Sequence, residues 1–348
     1  MTGVERVGGA KPLRGAVIGC GFFAANHLNG WRDVMGADIV AVCDRDRGKA
    51  QDAAARYAVP AVYDDAATMF ANETLDFVDI VTTVESHRPL VELACRYGVP
   101  VICQKPLALN AVDARAMVDA AANAGVAFMV HENFRFERPL MAVKEKLDAG
   151  AIGRAHWGHI SFRHGYDVYS GQPYLLQEKR LAVMDVGVHV LDIARYYFGE
   201  AVRIYCAAQR VDPRVTGEDC VTMLLTHESG AVSVVDISFA TRIDPDPFPQ
   251  TLVRIEGADG TLELDGQYQL KQSRTGWSHV ENVEPSGPAW ATPPWHVVQD
   301  SVVGIQQHWV DCLISGQEPS TSGRDNLMTL ALVFAAYESI ETGRAVDL

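Results

Sequence analysis

The chain of 348 residues has no C-x-x-C pair, and none of its apolar runs approaches the roughly 20 residues that span a bilayer. Its seven cysteines, at positions 20, 43, 95, 103, 206, 220 and 312, are scattered, and no neighbouring histidines stand at zinc-ligand spacing. That pattern speaks against a metal centre and against a disulfide framework, and buried reduced thiols are expected. Basic residues are the minority: 30 Lys and Arg against 44 Asp and Glu leave a formal charge of -14 with no basic cluster. A phosphate backbone or an anionic membrane would be repelled, so neither nucleic acid nor membrane is an expected partner. Met1 to Arg14 lacks the apolar core of a signal peptide, and internal repeats and low-complexity tracts are missing too. A soluble, cytoplasmic protein is expected.

A hydrophobic content of 48% in a chain of this length supports a sizeable core divided into two domains. From Gly15 to about Asn133, the runs GAVIGCG, DIVAVCD, DFVDIVTT, VPVICQ and VAFMVHE alternate with alanine-rich segments such as Arg47 to Ala58. Nearly continuous apolar strands between helices predict βαβ units and a doubly wound parallel sheet, here residues 1–133. Beyond that point, Arg138 to Ala149 reads as a helix. His156 to Arg163, Val202 to Arg210, Cys220 to Thr226, Ala231 to Thr241, Thr251 to Glu256 and Gly260 to Leu264 read as strands. Turn signals at Glu228-Ser229-Gly230 and Ala258-Asp259-Gly260 predict hairpins. Residues 134–348 are therefore expected to form an α+β domain with a large, open, mostly antiparallel sheet. Asp185 to Phe198 and segments 301–315 and 324–342 are predicted as helices on one of its faces, and 272–297 as irregular structure.

Gly19-Cys20-Gly21-Phe22-Phe23-Ala24 follows the first strand and opens a helix, a G-x-G-x-x-A turn whose small residues admit a pyrophosphate to the helix N-terminus. Asp44 ends the second strand, 23 residues after Gly21, where a carboxylate can accept the adenosine ribose hydroxyls. NAD is thus favoured over NADP. Two readings compete: Asp44 could cap the helix starting near Asp46, and Arg45 with Arg47 could hold a 2′-phosphate.

Asp185 and His189 stand four apart in a segment of helical period and share a face, with Gly187 between them permitting a ligand to come close. Removing a proton from an alcohol while a hydride leaves suits a neutral imidazole, so His189 is the candidate base. Lys105 lies past the fifth parallel strand, at the sheet edge where ligands gather, and can stabilise an alkoxide. An X-Pro bond at Pro106 can be cis and would turn that lysine toward the cleft.

With these motifs in hand, the chain resembles the Gfo/Idh/MocA family, the glucose-fructose oxidoreductase and inositol dehydrogenase group, over essentially its whole length. The resemblance rests on Gly19 to Ala24, on Gln104-Lys105-Pro106 at the family's E-K-P, on Asn133-Phe134-Arg135-Phe136 and on Asp185-Val186-Gly187-Val188-His189. The C-terminal run from Ser322 to Ser339 is also similar. It implies an NAD(P)-dependent dehydrogenase of sugars or cyclitols, with an exposed sheet face that forms dimers or tetramers. Carried onto this chain, Lys105 binds substrate and cofactor, Asp185 hydrogen-bonds a substrate hydroxyl and His189 transfers the proton. Gly19, Gly21, Phe22, Phe23, Ala24, Asp44, Arg45, Gln104 and Lys105 would face the cofactor.

Two departures stand out: Gln104 removes a negative charge beside Lys105, and Gln177 to Val183 replaces a glycine-rich run. Phe162 to Tyr174, with Val130 to Phe136, is similar to the branch containing D-apiose dehydrogenase. Arg163, His164, Tyr166 and Asp167 supply donors and acceptors suited to a polyhydroxylated ligand, Arg163, His164 and Tyr166 being the expected substrate contacts beside Lys105, Asp185 and His189. The expected reaction is oxidation of an aldose at its anomeric carbon to a lactone. A cyclitol dehydrogenase and a non-catalytic NAD- and sugar-sensing regulator are the alternatives.

Overall fold

Residues 11–348 are described by the computed structural model of the chain. Its first part is a parallel sheet of β1 (Leu13–Ile18), β2 (Ala37–Cys43), β3 (Ala61–Tyr63), β4 (Phe77–Ile80), β5 (Val101–Gln104) and β6 (Phe128–His131) in the order β3-β2-β1-β4-β5-β6. Helices α1 (Ala24–Asp33), α2 (Arg47–Tyr57), α3 (Ala66–Asn72), α4 (His87–Arg96) and α5 (Ala111–Ala124) make the connections. Every residue of β4, β5 and β6 is buried, as a sheet covered on both faces requires. Strand order reverses between β1 and β4, which opens a crevice at their C-terminal ends. Short polar side chains start three of these helices: Asp46 accepts the Gly48 and Lys49 N–H groups at α2, Asp65 that of Thr68 at α3 and Asn110 that of Asp113 at α5. The doubly wound sheet is the one expected, except that β3 escapes the sequence pattern. It is three half-buried residues, too few to show a period.

A short turn, Asn133–Phe136, leads through α6 (Arg138–Asp148) into the second sheet. Its strands are β7 (Ala155–Arg163), β8 (Ala201–Gln209), β9 (Cys220–His227), β10 (Val232–Ser238), β11 (Leu252–Gly257), β12 (Thr261–Leu264), β13 (Gln269–Arg274), β14 (Trp277–Asn282) and β15 (Val346–Asp347). They run β14-β13-β12-β11-β7-β10-β9-β8-β15, antiparallel except where β7 meets β10. Helices α7 (Val188–Phe198) and α9 (Gly323–Thr342) share a core with the inner face, which contributes Ile160, Phe162, Met223, Leu225, Val235 and Ile255. On the outer face Tyr205, Leu224, Val234 and His159 stand in one cross-strand row, and Tyr205 and Leu224 remain more than two-fifths exposed.

Two expectations for this half are corrected. Residues 272–297 are not wholly irregular, because β13 and β14 pair there as a hairpin whose turn is closed by Gly276 at φ +74°. Trp277 to Val280 are all exposed at the sheet edge, so no alternation of buried and exposed positions marks the strand. The helix α8 (His296–Ser315) does not lie on the large sheet. Its Ile305, Trp309 and Val310 complete the core of the first domain against Val17, Trp31, Phe77 and Met129.

The junction is tied from several sides. Asn133 Nδ2 donates to Ser301 Oγ of α8 at 2.7 Å. Arg135 donates to both oxygens of Asp192, at 2.5 and 2.8 Å, and to Asp325 at 2.8 Å. A buried guanidinium and carboxylate held this way leave neither charge uncompensated, and removing one would strand the other. All seven cysteines are free thiols, and Cys43, Cys95, Cys103, Cys206 and Cys312 are buried.

Because Trp309 is fully buried among first-domain side chains, Trp309→Ala should destabilise the protein by about 3–5 kcal/mol in urea denaturation. A loss below about 1 kcal/mol would mean that α8 is not part of that core.

Candidate active site

The glycine-rich turn leaves β1 at Gly19, whose φ of +98° no side chain adopts readily and whose absent Cβ would strike the Val81 carbonyl at 2.4 Å. Among the described residues nothing lies within 4 Å of where a Cβ at Gly21 would stand, so this backbone is open to approach. Ala24 is the buried first residue of α1, and Phe23 before it provides no side-chain cap, which leaves the helix's first N–H groups available to an anion. Phe22 is two-thirds exposed beside the turn. Asp44 Oδ2 accepts the Cys20 N–H at 2.7 Å and Oδ1 the Asp46 N–H at 2.8 Å, which ties the end of β2 to the glycine turn. Asp46, not Asp44, caps α2. Arg45 is exposed, and Arg47 is paired with Asp64 at 3.0 Å. An open approach at Gly21, an uncapped helix start and a carboxylate at the end of β2 fit a dinucleotide.

Lys105 follows β5, and its bond to Pro106 is cis. Its ammonium donates to Asp185 twice, to Oδ1 at 2.8 Å and to the main-chain carbonyl at 2.8 Å. Asp185 sits in a π-helical turn, Val183–Gly187, that runs into α7, and His189 lies in the first turn of α7. The continuous helix expected from Asp185 is thus widened at its start, a distortion often found at functional sites. Burial by itself would raise the Asp185 carboxyl. The charge and hydrogen bond of Lys105, helped by His189 and His164, outweigh it and hold the group below the usual carboxylate range. His189 is pushed well below the ordinary imidazole range, first by burial and then by the charge of Lys105, with Asp185 and Asp192 opposing. It is a neutral base at neutral pH.

Two buried groups that the sequence reading passed over stand behind this trio. Glu132 is hydrogen-bonded through Oε1 to His189 Nδ1, and the Phe134 ring lies flat on the imidazole at 3.9 Å and 3°. On the other side, Gln104 Nε2 donates to His27 Nε2 at 2.9 Å, and His27 Nδ1 donates to Asp79 at 2.7 Å. Trp31 Nε1 donates to the same Asp79 oxygen at 2.7 Å, and Gln104 Oε1 accepts the Lys105 N–H at 2.7 Å. The tautomer of His27 follows from these partners. Gln104 therefore spends its side chain on the protein interior, and Lys105 takes its counter-charge from Asp185. A His-Glu step at the end of β6 and a His in the first turns of α1 were the signals available for these groups. Each is an ordinary core residue until the fold assembles them.

Not every expected residue joins the cluster. Alternation along β7 places Phe162 on the inner face and Arg163 on the outer one, where Arg163 pairs with Asp236 at 3.3 Å alongside His159 and Ser161. Arg163 is thus separated by the sheet from Asp185 and His189. Gly187 borders its own helical turn, where a Cβ would lie 3.3 Å from a Val183 methyl and 3.4 Å from the Ala182 carbonyl. His164 is buried against Phe162, Phe239 and Phe248. Burial drives it down to about 4, opposed by the charges of Asp246 and Asp185. Tyr166 stacks on Phe248 at 4.2 Å and is partly exposed. Asp167 accepts from the Tyr169 and Ser170 N–H groups and so shapes its own loop.

Comparison with known proteins gives a consistent picture. Residues 13–132 match the family described as an oxidoreductase family with an NAD-binding Rossmann fold, and residues 140–263 match the GFO/IDH/MocA C-terminal domain. The chain is 53% identical to a D-apiose dehydrogenase of Paraburkholderia graminis, over 97% of its own length and 90% of the relative's. It is 50% identical to a D-apiose dehydrogenase of Rhizobium rhizogenes, over 97% of each chain. A crystal structure of an oxidoreductase from Agrobacterium radiobacter, in complex with NAD+, L-tartaric acid and magnesium, superposes with a TM-score of 0.95 at 50% identity, over 97% of this chain and 98% of that one.

The inward contacts of Gln104 yield a test. Gln104→Glu would set a carboxylate oxygen against the His27 lone pair, so the contact survives only if the carboxyl-imidazole pair takes up a proton. A pair whose folded-state affinity for a proton is raised in this way stabilises at low pH and ceases to do so as pH rises. The variant should lose about 1–3 kcal/mol of stability near pH 8 and less near pH 6, measured by urea denaturation at each pH. A deficit independent of pH would refute this account of the network.

Proposed function

We propose that this chain, which belongs to the Gfo/Idh/MocA oxidoreductase family, is an NAD-dependent sugar dehydrogenase that oxidises the anomeric carbinol of an aldose to a lactone. The observation that carries the reading is the meeting of Lys105, Asp185 and His189 at the C-terminal edge of a dinucleotide-binding sheet. NAD supplies the hydride acceptor when it is bound. His189, neutral at working pH, takes the hydroxyl proton, the Lys105 ammonium steadies the developing alkoxide and Asp185 orients a substrate hydroxyl. Two relatives that share about half of their residues with this chain are D-apiose dehydrogenases, which supports D-apiose as the substrate. His164 and Tyr166 fit the wall of a sugar site, with aromatic faces beside one polar ring.

Asp44 supports NAD over NADP. Each of its oxygens accepts one main-chain N–H and keeps a lone pair for a ribose hydroxyl, while a 2′-phosphate would meet a negative charge. The outer row of Tyr205, Leu224 and Val234 suits self-association into a dimer or tetramer through the large sheet. Seven free thiols and a soluble co-substrate suit the cytoplasm. Among the described residues no helix is long and apolar enough to cross a membrane.

A spectrophotometric screen of aldoses and polyols with NAD should find turnover of D-apiose, and Lys105→Ala or His189→Ala should each lower kcat by about 10²–10⁴-fold. Sugar binding without NADH formation would instead identify a sensor. For the sheet face, Leu224→Lys should reduce the mass seen by light scattering to that of the monomer. An unchanged assembly would move the interface elsewhere.

A further inference from the structure

The strands β5 and β6 are neighbours, with Gln104 in register with His131, so Lys105 and Glu132 leave the sheet side by side. Each is met by the same stretch of chain, Lys105 by Asp185 and Glu132 by His189. Glu132 is completely buried, and its second oxygen, Oε2, has no hydrogen-bond partner among the described residues. A carboxyl taken out of water and left half-satisfied is costly, and it is retained here directly against a candidate proton-transfer group. The parallel Phe134 ring fixes the plane of the imidazole, the bond to Glu132 fixes its rotation, and Nε2 has no hydrogen-bond partner among the described residues.

We propose that Glu132 is a positioning residue and proton partner for His189 in the dehydrogenase reaction inferred above, on which this inference rests. In the oxidative direction the substrate O–H bond breaks and an Nε2–H bond forms, while the Nδ1–H bond breaks and a Glu132 Oε1–H bond forms. The hydride leaves the carbinol carbon for NAD, so the sugar is oxidised and the cofactor reduced. The pair starts as carboxylate with neutral imidazole and ends as carboxylic acid with neutral imidazole, and no imidazolium is created beside the Lys105 ammonium.

The surroundings favour that outcome. His189 is faced by Lys105 from the end of β5, Asp185 from the π turn, Asp192 from the next turn of α7 and His131 on β6. Glu132 is faced by Asp192, Lys105 and Arg135, with Glu137 nearby. Lys105 opposes a second positive charge, and Arg135 balances Asp192. Burial, reinforced by Asp192, raises the proton affinity of Glu132, while Lys105 and Arg135 oppose the rise, so the carboxylate that accepts the Nδ1 hydrogen bond gains in basicity.

The test uses the near-isosteric Glu132→Gln. Its kcat with NAD and sugar should fall by about 10²-fold with KM little changed. The acid limb of its pH-rate profile should move to lower pH, because removing a negative charge lowers the proton affinity of the neighbouring base. Glu132→Asp, which keeps the carboxyl, should recover part of the rate. An unmoved acid limb, or a rise in KM alone, would overturn the proposal. Proton NMR reads the same bond without turnover: the wild type should show a far-downfield resonance that disappears in Glu132→Gln and in His189→Asn. If that resonance is missing from the wild type, the pairing is refuted. If it is present but no sugar is oxidised, the pairing stands and the dehydrogenase reading falls.

Discussion

Register between two adjacent parallel strands governs the arrangement of the site. Because Gln104 lies opposite His131, the residues that follow them emerge at the same height of the sheet edge, about one strand spacing apart. A single turn of helix from the second domain can then reach both, and it does so with Asp185 and His189. A slip of one residue in either strand would turn the partner side chain to the other face of the sheet and dissolve the cluster. The buried apolar runs of β5 and β6 prevent that slip, since every residue in them is enclosed by core.

The same cluster is also an exercise in charge balance. The Lys105 ammonium is hydrogen-bonded to Asp185, and that contact keeps the carboxylate ionised although burial opposes it. Behind it, the chain from Asp79 through His27 to Gln104 ends on the Lys105 N–H and holds the backbone from which the ammonium extends. The glutamine is consistent with that chain, for an amide can both give a hydrogen to His27 and accept one from the backbone, which an ionised carboxylate cannot do. At the junction, Arg135, Asp192, Asp325 and Arg195 lock the second domain's helices to the linker. The orientation of α7, and with it of His189, is thus fixed from both ends.

Much of the architecture was legible because burial leaves a period in the sequence. The βαβ alternation, the glycine turn and the hairpin at Ser229-Gly230 each act through neighbours close along the chain, whereas the cap of α2 fell on Asp46 and not on Asp44. What escaped were elements whose partners are distant or whose faces are not buried. β3 is too short to show a pattern, and β14 is exposed at a sheet edge. α8 is plain as a helix, but its choice of the first domain over the second depends on which surface offered Trp31 and Phe77 a partner.

For the site, the residue types and their spacing were sufficient to nominate Lys105, Asp185 and His189, because an amine, a carboxylate and an imidazole have few alternatives in proton and hydride chemistry. Local sequence also implied the dinucleotide turn, whose glycine conformations and open approach depend on a few consecutive residues. Only the tertiary structure decided that Glu132 stands behind His189, that Gln104 faces inward to His27, and that Arg163 lies across the sheet from the cleft. Those outcomes are set by strand register, by the side of the sheet each residue occupies and by contacts between residues tens of positions apart. Such contacts leave no period in a single sequence.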